Sequence, residues 1–174
     1  MDDLELRGLL DCLRLGERSA FEELYEQLKT PVFTVILRIL GDRDTAEDVL
    51  QEVFLKLYRS PPGPEVKKPR AYLLQSARNL ALDALRRHPR EAALEDCVHL
   101  PASQQVDWSS RLDLERALAA LPLEERQLVI LHLNGGLKFR EIAQIMRIPL
   151  GTALWRYQKA IGRLRSSLSD TNFR

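Results

Sequence analysis

Apolar residues recur every three to four positions along most of this chain, the spacing that places them on one face of an α-helix. The first such stretch covers residues 4–15, and Gly16 is a typical signal for the end of a helix. The second extends from the region of Ser19 to Gly41. Ser19 and Glu22 form a capping-box pattern, so we expect Ser19 to be the N-cap. The pattern as a whole predicts an all-α protein.

A third amphipathic helix is predicted over residues 45–58, with Asp44 at its start. Its inward face carries Ala46, Val49, Leu50, Val53, Phe54 and Leu57. Its outward face carries Asp48, Gln51, Glu52 and Leu55. A leucine among exposed acids and amides indicates either a docking surface or a solvated face with one isolated apolar residue. Periodicity alone leaves both interpretations open.

Four prolines within residues 60–69 predict a loop, and a fourth helix is predicted over residues 70–88. The loop end and the outer face of this helix present Lys67, Lys68, Arg70, Arg78, Asn79, Arg86 and Arg87. Arginine and asparagine on one helix can bind both backbone phosphates and base edges of nucleic acid. Tyr72 either stacks on an unpaired base or belongs to the core.

Residues 89–110 have no helical period and are acidic, which predicts a linker between two domains. Trp108 lies within this stretch, and we expect it to dock against one of the flanking domains. Two further helices are predicted over residues 112–121 and 123–133, separated by Pro122.

The most informative stretch is residues 137–164, which predicts two helices joined by a tight turn at Ile148-Pro149. We expect the second helix to turn an apolar stripe inward: Leu150, Leu154, Tyr157, Ile161 and Leu164. Its other face carries Thr152, Trp155, Arg156, Lys159 and Arg163. A basic second helix after a tight turn is typical of a helix-turn-helix that enters the DNA major groove. The alternative is a plain helical hairpin with a solvated basic face.

Positions along this second helix suggest separate roles in DNA binding. Arg156 lies in the first turns, which reach base edges, and arginine pairs bidentately with guanine. Lys159 and Arg163 follow on later turns and are expected to contact phosphate. Trp155 either packs on a thymine methyl group or a sugar, or folds back into the helix-turn-helix core.

The net charge of +1 hides an alternation along the 174 residues. Residues 1–60 and 91–125 are net acidic, whereas residues 61–90 and 126–174 are net basic. Basic blocks neutralise phosphates, so the chain is predicted to touch nucleic acid in two places. No catalytic constellation, phosphate loop or metal-ligand set is visible, so we expect neither an enzyme nor a cofactor or metal. The lack of a signal peptide or membrane-length apolar run predicts a cytoplasmic protein without membrane insertion.

Three blocks occur in order: AEDVLQEVFLKLY, RAYLLQSARNLALDALRR and ALPLEERQLVILHLNGGLKFREIAQIMRIPLGTALWRYQKAIGRL. In this order they resemble the extracytoplasmic-function (ECF) sigma factors of bacterial RNA polymerase. The resemblance covers nearly the whole chain. It implies two small helical domains joined by a flexible linker, the second a four-helix domain with a helix-turn-helix. The boundaries would be 1–88, 89–110 and 111–174.

The resemblance also implies partners. The N-terminal domain would dock on the β′ coiled coil of core RNA polymerase through Asp48, Gln51, Glu52 and Leu55. It would melt and bind the −10 promoter element through Lys67, Lys68, Arg70, Tyr72, Arg78, Asn79, Arg86 and Arg87. The C-terminal domain would lie near the β flap and bind the −35 element through Thr152, Trp155, Arg156, Lys159 and Arg163. An anti-sigma factor is a further expected partner.

This chain departs from the family pattern in the recognition helix, where the family commonly has GTVKSR and residues 151–156 are GTALWR. Leu154 and Trp155 therefore predict altered base preference or weaker phosphate contact. Two alternatives remain: a helix-turn-helix regulator that acts without core polymerase, and a sigma-like adaptor that has lost DNA binding. The first leaves residues 44–88 unexplained, and the second is supported only by these two departures.

Overall fold

The computed structural model describes residues 3–87 and 108–171, and within these ranges the chain forms eight helices and no strand. They are α1 (Asp3–Arg14), α2 (Arg18–Leu40), α3 (Arg43–Arg59), α4 (Pro69–Arg87), α5 (Trp108–Ala120), α6 (Leu123–Leu133), α7 (Phe139–Met146) and α8 (Leu150–Thr171). The all-α prediction is confirmed. None of the described helices is long and apolar enough to cross a membrane.

Helix α2 is the centre of the N-terminal half, which consists of α1–α4. It packs against α1, α3 and α4, because its own buried apolar side chains lie on several of its faces. Leu24, Val35 and Ile36 are completely buried. Helices α1, α3 and α4 therefore all pack on α2. This packing determines which faces of α3 and α4 are exposed to solvent.

Two of the predicted helix starts are wrong. Helix α2 begins at Arg18 with Glu17 at the N-cap position, so Ser19 already lies inside the first turn and cannot cap it. In α3 the cap is Asp42, whose carboxylate accepts a hydrogen bond from the Thr45 backbone amide at 2.9 Å. Asp44 lies in the first turn instead, where its negative charge stabilises the helix by interacting with the positive end of the helix dipole.

The predicted linker, residues 89–110, lies outside the described residues except at its C-terminal end. There the prediction of an irregular segment is wrong, because residues 108–110 form the first turn of α5. The sequence did not predict this turn, because Ser109 and Ser110 are polar and interrupt the helical spacing of apolar residues. Trp108 is thus the first residue of a helix, and the expected docking of its side chain lies outside what the structure describes.

The two halves of the chain share one hydrophobic core. Side chains of α6 and α7, including Leu128, Ile130 and Ile142, join the same buried cluster as those of α1–α4. Helix α6 contacts α2, and α7 contacts α4. At Gly135 a Cβ atom would lie 2.9 Å from Leu74 of α4, so the halves meet closely at this point.

The predicted inward stripe of α8 is wrong at two positions. Leu150 and Leu154 are 37% and 39% exposed, whereas Ala153 and Ala160 are completely buried. The small alanine side chains let α8 approach its neighbours closely, so the leucines on the adjacent stripe turn outward. Leu164 is buried as predicted, in a second cluster formed with α5 and α6.

Candidate polymerase and nucleic-acid interfaces

The outer face of α3 is exposed as the sequence predicted. Asp48, Gln51, Glu52 and Leu55 all point to solvent, and Leu55 is 47% exposed. Tyr58, which no sequence pattern had indicated, lies one turn beyond Leu55 and is 50% exposed. Its ring packs edge-on against Phe21 at a centroid distance of 5.0 Å, which holds it in place. The face therefore offers two neighbouring apolar side chains beside three acidic or amide groups.

Lys68 lies between the two halves of the chain. Its ammonium group is 3.3 Å from the Asp3 carboxylate of α1 and 3.6 Å from the Glu141 carboxylate of α7. The hydrogen bond to Asp3, together with the negative charges of Asp3 and Glu141, raises the pKa of Lys68. Lys68 and Arg70 line a cavity of about 210 Å³ whose other walls include Gly136 and Glu141.

Arg78 also faces the C-terminal half. Its Nε donates a hydrogen bond of 2.7 Å to Oε1 of Gln127, a residue of α6 that is only 2% exposed. Burial lowers the pKa of Arg78, and the negative charge of Glu124 opposes that shift. In this arrangement Gln127 occupies the Nε donor of Arg78, which a DNA phosphate could otherwise use.

The other residues predicted for this surface are accessible. Lys67, Asn79, Arg86 and Arg87 are exposed, and Tyr72 is 37% exposed, so Tyr72 is not part of the closed core. The structure thus separates the predicted set into two groups. Lys68, Arg70 and Arg78 meet the C-terminal half, and the remaining five face solvent.

The helix-turn-helix has the predicted geometry. Helix α7 ends at Met146, and the left-handed backbone conformation of its C-cap residue Arg147 (φ 56°) makes the turn into α8. An aromatic cluster joins the two helices to α6: Phe139 packs at 4.3 Å from His132 and at 4.9 Å from Tyr157, measured between ring centroids. These contacts fix the direction in which α8 presents its outer face.

Trp155 lies on that outer face. It is 58% exposed, so the alternative in which it folds back into the helix-turn-helix core is wrong. The Lys159 ammonium group lies 4.8 Å from the centroid of its ring, a cation–π contact one turn along α8. Thr152 is half-buried one turn earlier on the same face. The exposed indole therefore projects from the helix that would enter DNA.

Two of the three arginines of α8 are paired within the C-terminal half. Arg156 donates from Nη1 to the Glu124 carboxylate. Arg163 donates from Nη1 to Glu125 at 2.9 Å, and Glu125 is itself buried. Both carboxylates belong to the first turn of α6. Sequence spacing gave no signal for these acids, because they lie 32 and 38 residues before their partners.

Comparison with known families gives two matches in succession. Residues 24–91 match Sigma-70 region 2, and residues 111–164 match Sigma-70 region 4. Curated relatives include the ECF RNA polymerase sigma factors SigE of Mycolicibacterium smegmatis (33% identical) and SigK of Mycobacterium ulcerans (29% identical). These alignments cover 88% and 94% of this chain, and 65% and 94% of the relatives. SigW of Bacillus subtilis is 25% identical over 97% of this chain and 99% of its own.

The chain belongs to the ECF sigma factor family. Solved structures share its fold: RpoE in complex with the anti-sigma factor NepR from Bartonella quintana, and CnrH in complex with the cytosolic domain of CnrY. Their TM-scores are 0.68 and 0.71, with 21% and 20% sequence identity. The alignments cover 86% and 94% of this chain, and 96% and 97% of those chains.

The sigma factor regions coincide with the two halves of the structure. Region 2 covers most of α2 and all of α3 and α4, and region 4 covers most of α5 and α8 and all of α6 and α7. The candidate residues on α3 and α4 therefore lie in region 2, and those on α8 lie in region 4. No group of three or more possible metal ligands occurs among the described residues of this sigma factor.

Proposed function

We propose that this protein is an alternative sigma factor of the ECF type, which binds core RNA polymerase and directs promoter-specific initiation of transcription. The observation that carries the proposal is the succession of region 2 and region 4 matches over an all-helical chain. The exposed recognition face of α8 supports a role in DNA binding and argues against an adaptor that has lost it. In this proposal the sigma factor catalyses no reaction, needs no cofactor and works in the cytoplasm.

The outer face of α3 is the proposed docking site for the β′ coiled coil. Leu55 and Tyr58 provide adjacent apolar contacts, and Asp48 and Glu52 provide negative charge around them. An apolar centre with a polar rim is the usual composition of a protein–protein interface. Because the ring contact with Phe21 holds Tyr58 in place, less side-chain entropy is lost on binding.

The basic residues of the 60–69 loop and of α4 are the proposed −10 surface. Tyr72 and Asn79 are accessible, and an exposed aromatic ring next to basic groups suits an unpaired base. Lys68 and Arg78 are engaged by Glu141 and Gln127 of region 4. Full use of this surface therefore requires regions 2 and 4 to separate when the holoenzyme binds a promoter.

The outer face of α8 is the proposed −35 surface. Arg156 contacts a guanine, Trp155 packs on a thymine methyl group or a sugar, and Lys159 and Arg163 contact phosphates. The exposed indole supports the second of these roles, because a buried ring could not reach DNA. The domain division, with residues 1–88 for −10 binding and 111–174 for −35 binding, is part of this proposal.

The proposed partners are core RNA polymerase, through the β′ coiled coil and the β flap, promoter DNA and an anti-sigma factor. Two proteins whose folds resemble this one were solved as complexes: RpoE with the anti-sigma factor NepR, and CnrH with the cytosolic domain of CnrY. By analogy, we expect an anti-sigma factor to bind this chain as well.

The proposal is tested with the purified protein, core RNA polymerase from the source organism and genomic DNA fragments. In vitro transcription across the genome, with mapping of the start sites, should give a small set of sites that share −35 and −10 sequences. Gel shifts on these fragments should show tight binding only when core polymerase is present. Tight binding by the protein alone would instead identify a classical regulator, and no binding in either case would identify an adaptor.

A further inference from the structure

Glu124 is well placed to control the orientation of Arg156. The Arg156 side chain is 27% exposed although it stands on a surface helix, so most of it is covered. Its Nη1 donates to the Glu124 carboxylate from the first turn of α6. Both the stem and one edge of the guanidinium group are therefore held before any DNA is bound.

Because Glu124 takes only one nitrogen of the Arg156 guanidinium group, a defined set of N–H donors remains for DNA. A guanidinium group is a rigid planar fork with five N–H donors. When a carboxylate takes Nη1, the edge formed by Nε and Nη2 stays available, and two parallel N–H groups suit the O6 and N7 acceptors of guanine. Among the described residues, Glu124 is the one hydrogen-bonding partner of Arg156.

We propose that Glu124 is a positioning and specificity-determining residue, which holds the Arg156 guanidinium group with its Nε–Nη2 edge toward the DNA groove. The inference rests on the proposed role of Arg156 in binding a base. Held in this way, Arg156 meets guanine without losing further side-chain freedom, and it is kept away from the phosphates that every DNA sequence offers. Without Glu124 the side chain swings freely and binds phosphate instead.

The test uses the full-length protein in holoenzyme and duplex DNA with a randomised −35 segment, selected by binding and then sequenced. Wild-type holoenzyme should enrich guanine at one position, by about 5- to 150-fold for a bidentate arginine–guanine pair. Glu124→Ala should bring this preference down to that of Arg156→Ala. It should also steepen the salt dependence of binding to unselected DNA by about one phosphate contact, because the released arginine meets the backbone.

Glu26→Ala is the matched control. Glu26 pairs with Lys29 of α2 at 2.7 Å, and its side chain is 65% exposed, compared with 66% for Glu124. The change in net charge is the same, so an equal effect of both variants on salt dependence and base preference would contradict the inference. Glu124→Gln keeps an acceptor for Nη1 and should retain more of the guanine preference than Glu124→Ala. Equal loss in the two Glu124 variants would overturn positioning by a hydrogen bond.

A double variant separates this inference from the proposed function. In the Arg156→Ala background, Glu124→Ala should have no further effect on base preference, because its effect acts through Arg156. A further effect there, or a wild-type guanine preference in Glu124→Ala alone, would overturn the positioning role. If wild-type holoenzyme enriches no sequence at all, the proposed function itself is wrong.

Discussion

Replacing Arg38 should weaken the fold more than replacing any exposed arginine. Arg38 of α2 donates from Nη2 to Glu115 of α5 at 2.6 Å, and from Nη1 to Asn134 at 2.5 Å. The side chains of Arg38 and Glu115 are each 15% exposed. This ion pair therefore connects region 2 to region 4 at a partly buried position, across the shared core.

The magnitude follows from what Arg38→Leu leaves behind. Removing one partner of a buried ion pair costs about 3–5 kcal/mol, because the other charge remains without compensation. Here the cost is smaller, because some solvent still reaches Glu115. The buried Nε of Arg38 also has no hydrogen-bond partner among the described residues, so Arg38 stabilises the native state less than a fully hydrogen-bonded arginine would. We therefore expect a loss of roughly 2–4 kcal/mol in the free energy of unfolding.

Urea unfolding followed by circular dichroism measures this loss. With a slope of about 2 kcal/mol per molar urea, the unfolding midpoint should fall by about 1–2 M. Arg43→Leu is the matched control, because Arg43 pairs with Glu47 at 2.9 Å with side chains 52% and 49% exposed. An exposed pair of this kind contributes about 0–1 kcal/mol.

Two results would refute this reasoning. One is an equal fall of the midpoint in Arg38→Leu and Arg43→Leu, which would mean that the contact between α2 and α5 carries no special stability. The other concerns the double variant Arg38→Leu, Glu115→Leu, which leaves no unpaired charge and should recover most of the loss. Failure to recover would show that packing, rather than the uncompensated carboxylate, causes the effect.

Three further predictions concern single positions. Leu55→Arg should weaken binding to core polymerase in a pull-down by at least about 30-fold, whereas Leu15→Arg, at a more exposed leucine of the N-terminal half, should not. In titrations of −35 duplexes, Arg156→Ala should relax preference at one base position, and Lys159→Ala should weaken all sequences alike and lower the salt slope by about one. Gly135→Ala should lower the free energy of unfolding, measured by thermal denaturation, by roughly 1–3 kcal/mol, because its Cβ would lie 2.6 Å from the backbone oxygen of Leu131.

Helical periodicity was sufficient to place the helices that the structure describes. The prediction holds for α3 because its buried residues repeat at helical spacing, and Gly41 ends α2 in the left-handed conformation that glycine adopts without cost. The helix starts were predicted less well. At Ser19 and at Asp44 a capping residue type lies within two residues of the true cap, and sequence alone does not distinguish neighbouring candidates.

Candidate surfaces could be predicted wherever they occupy one face of one helix. The docking face around Leu55 and the recognition face around Trp155 are exposed, because outward positions follow from the period of each helix. The sequence did not decide between an exposed and a folded-back Trp155. Burial of the small side chains Ala153 and Ala160 against the neighbouring helices decided it, by turning the adjacent stripe of α8 to solvent.

The sequence by itself determined the helices, the amphipathic faces of α3 and the alternation of charge, because each depends on residues that are close along the chain. The tertiary structure alone decided which arginines pair with residues far away along the chain. Arg38 meets Glu115 across 77 positions, and Arg78 meets Gln127 across 49. Such pairs depend on where two helices cross, and crossing positions are set by the packing of many side chains in the shared core, which leaves no local pattern in the sequence.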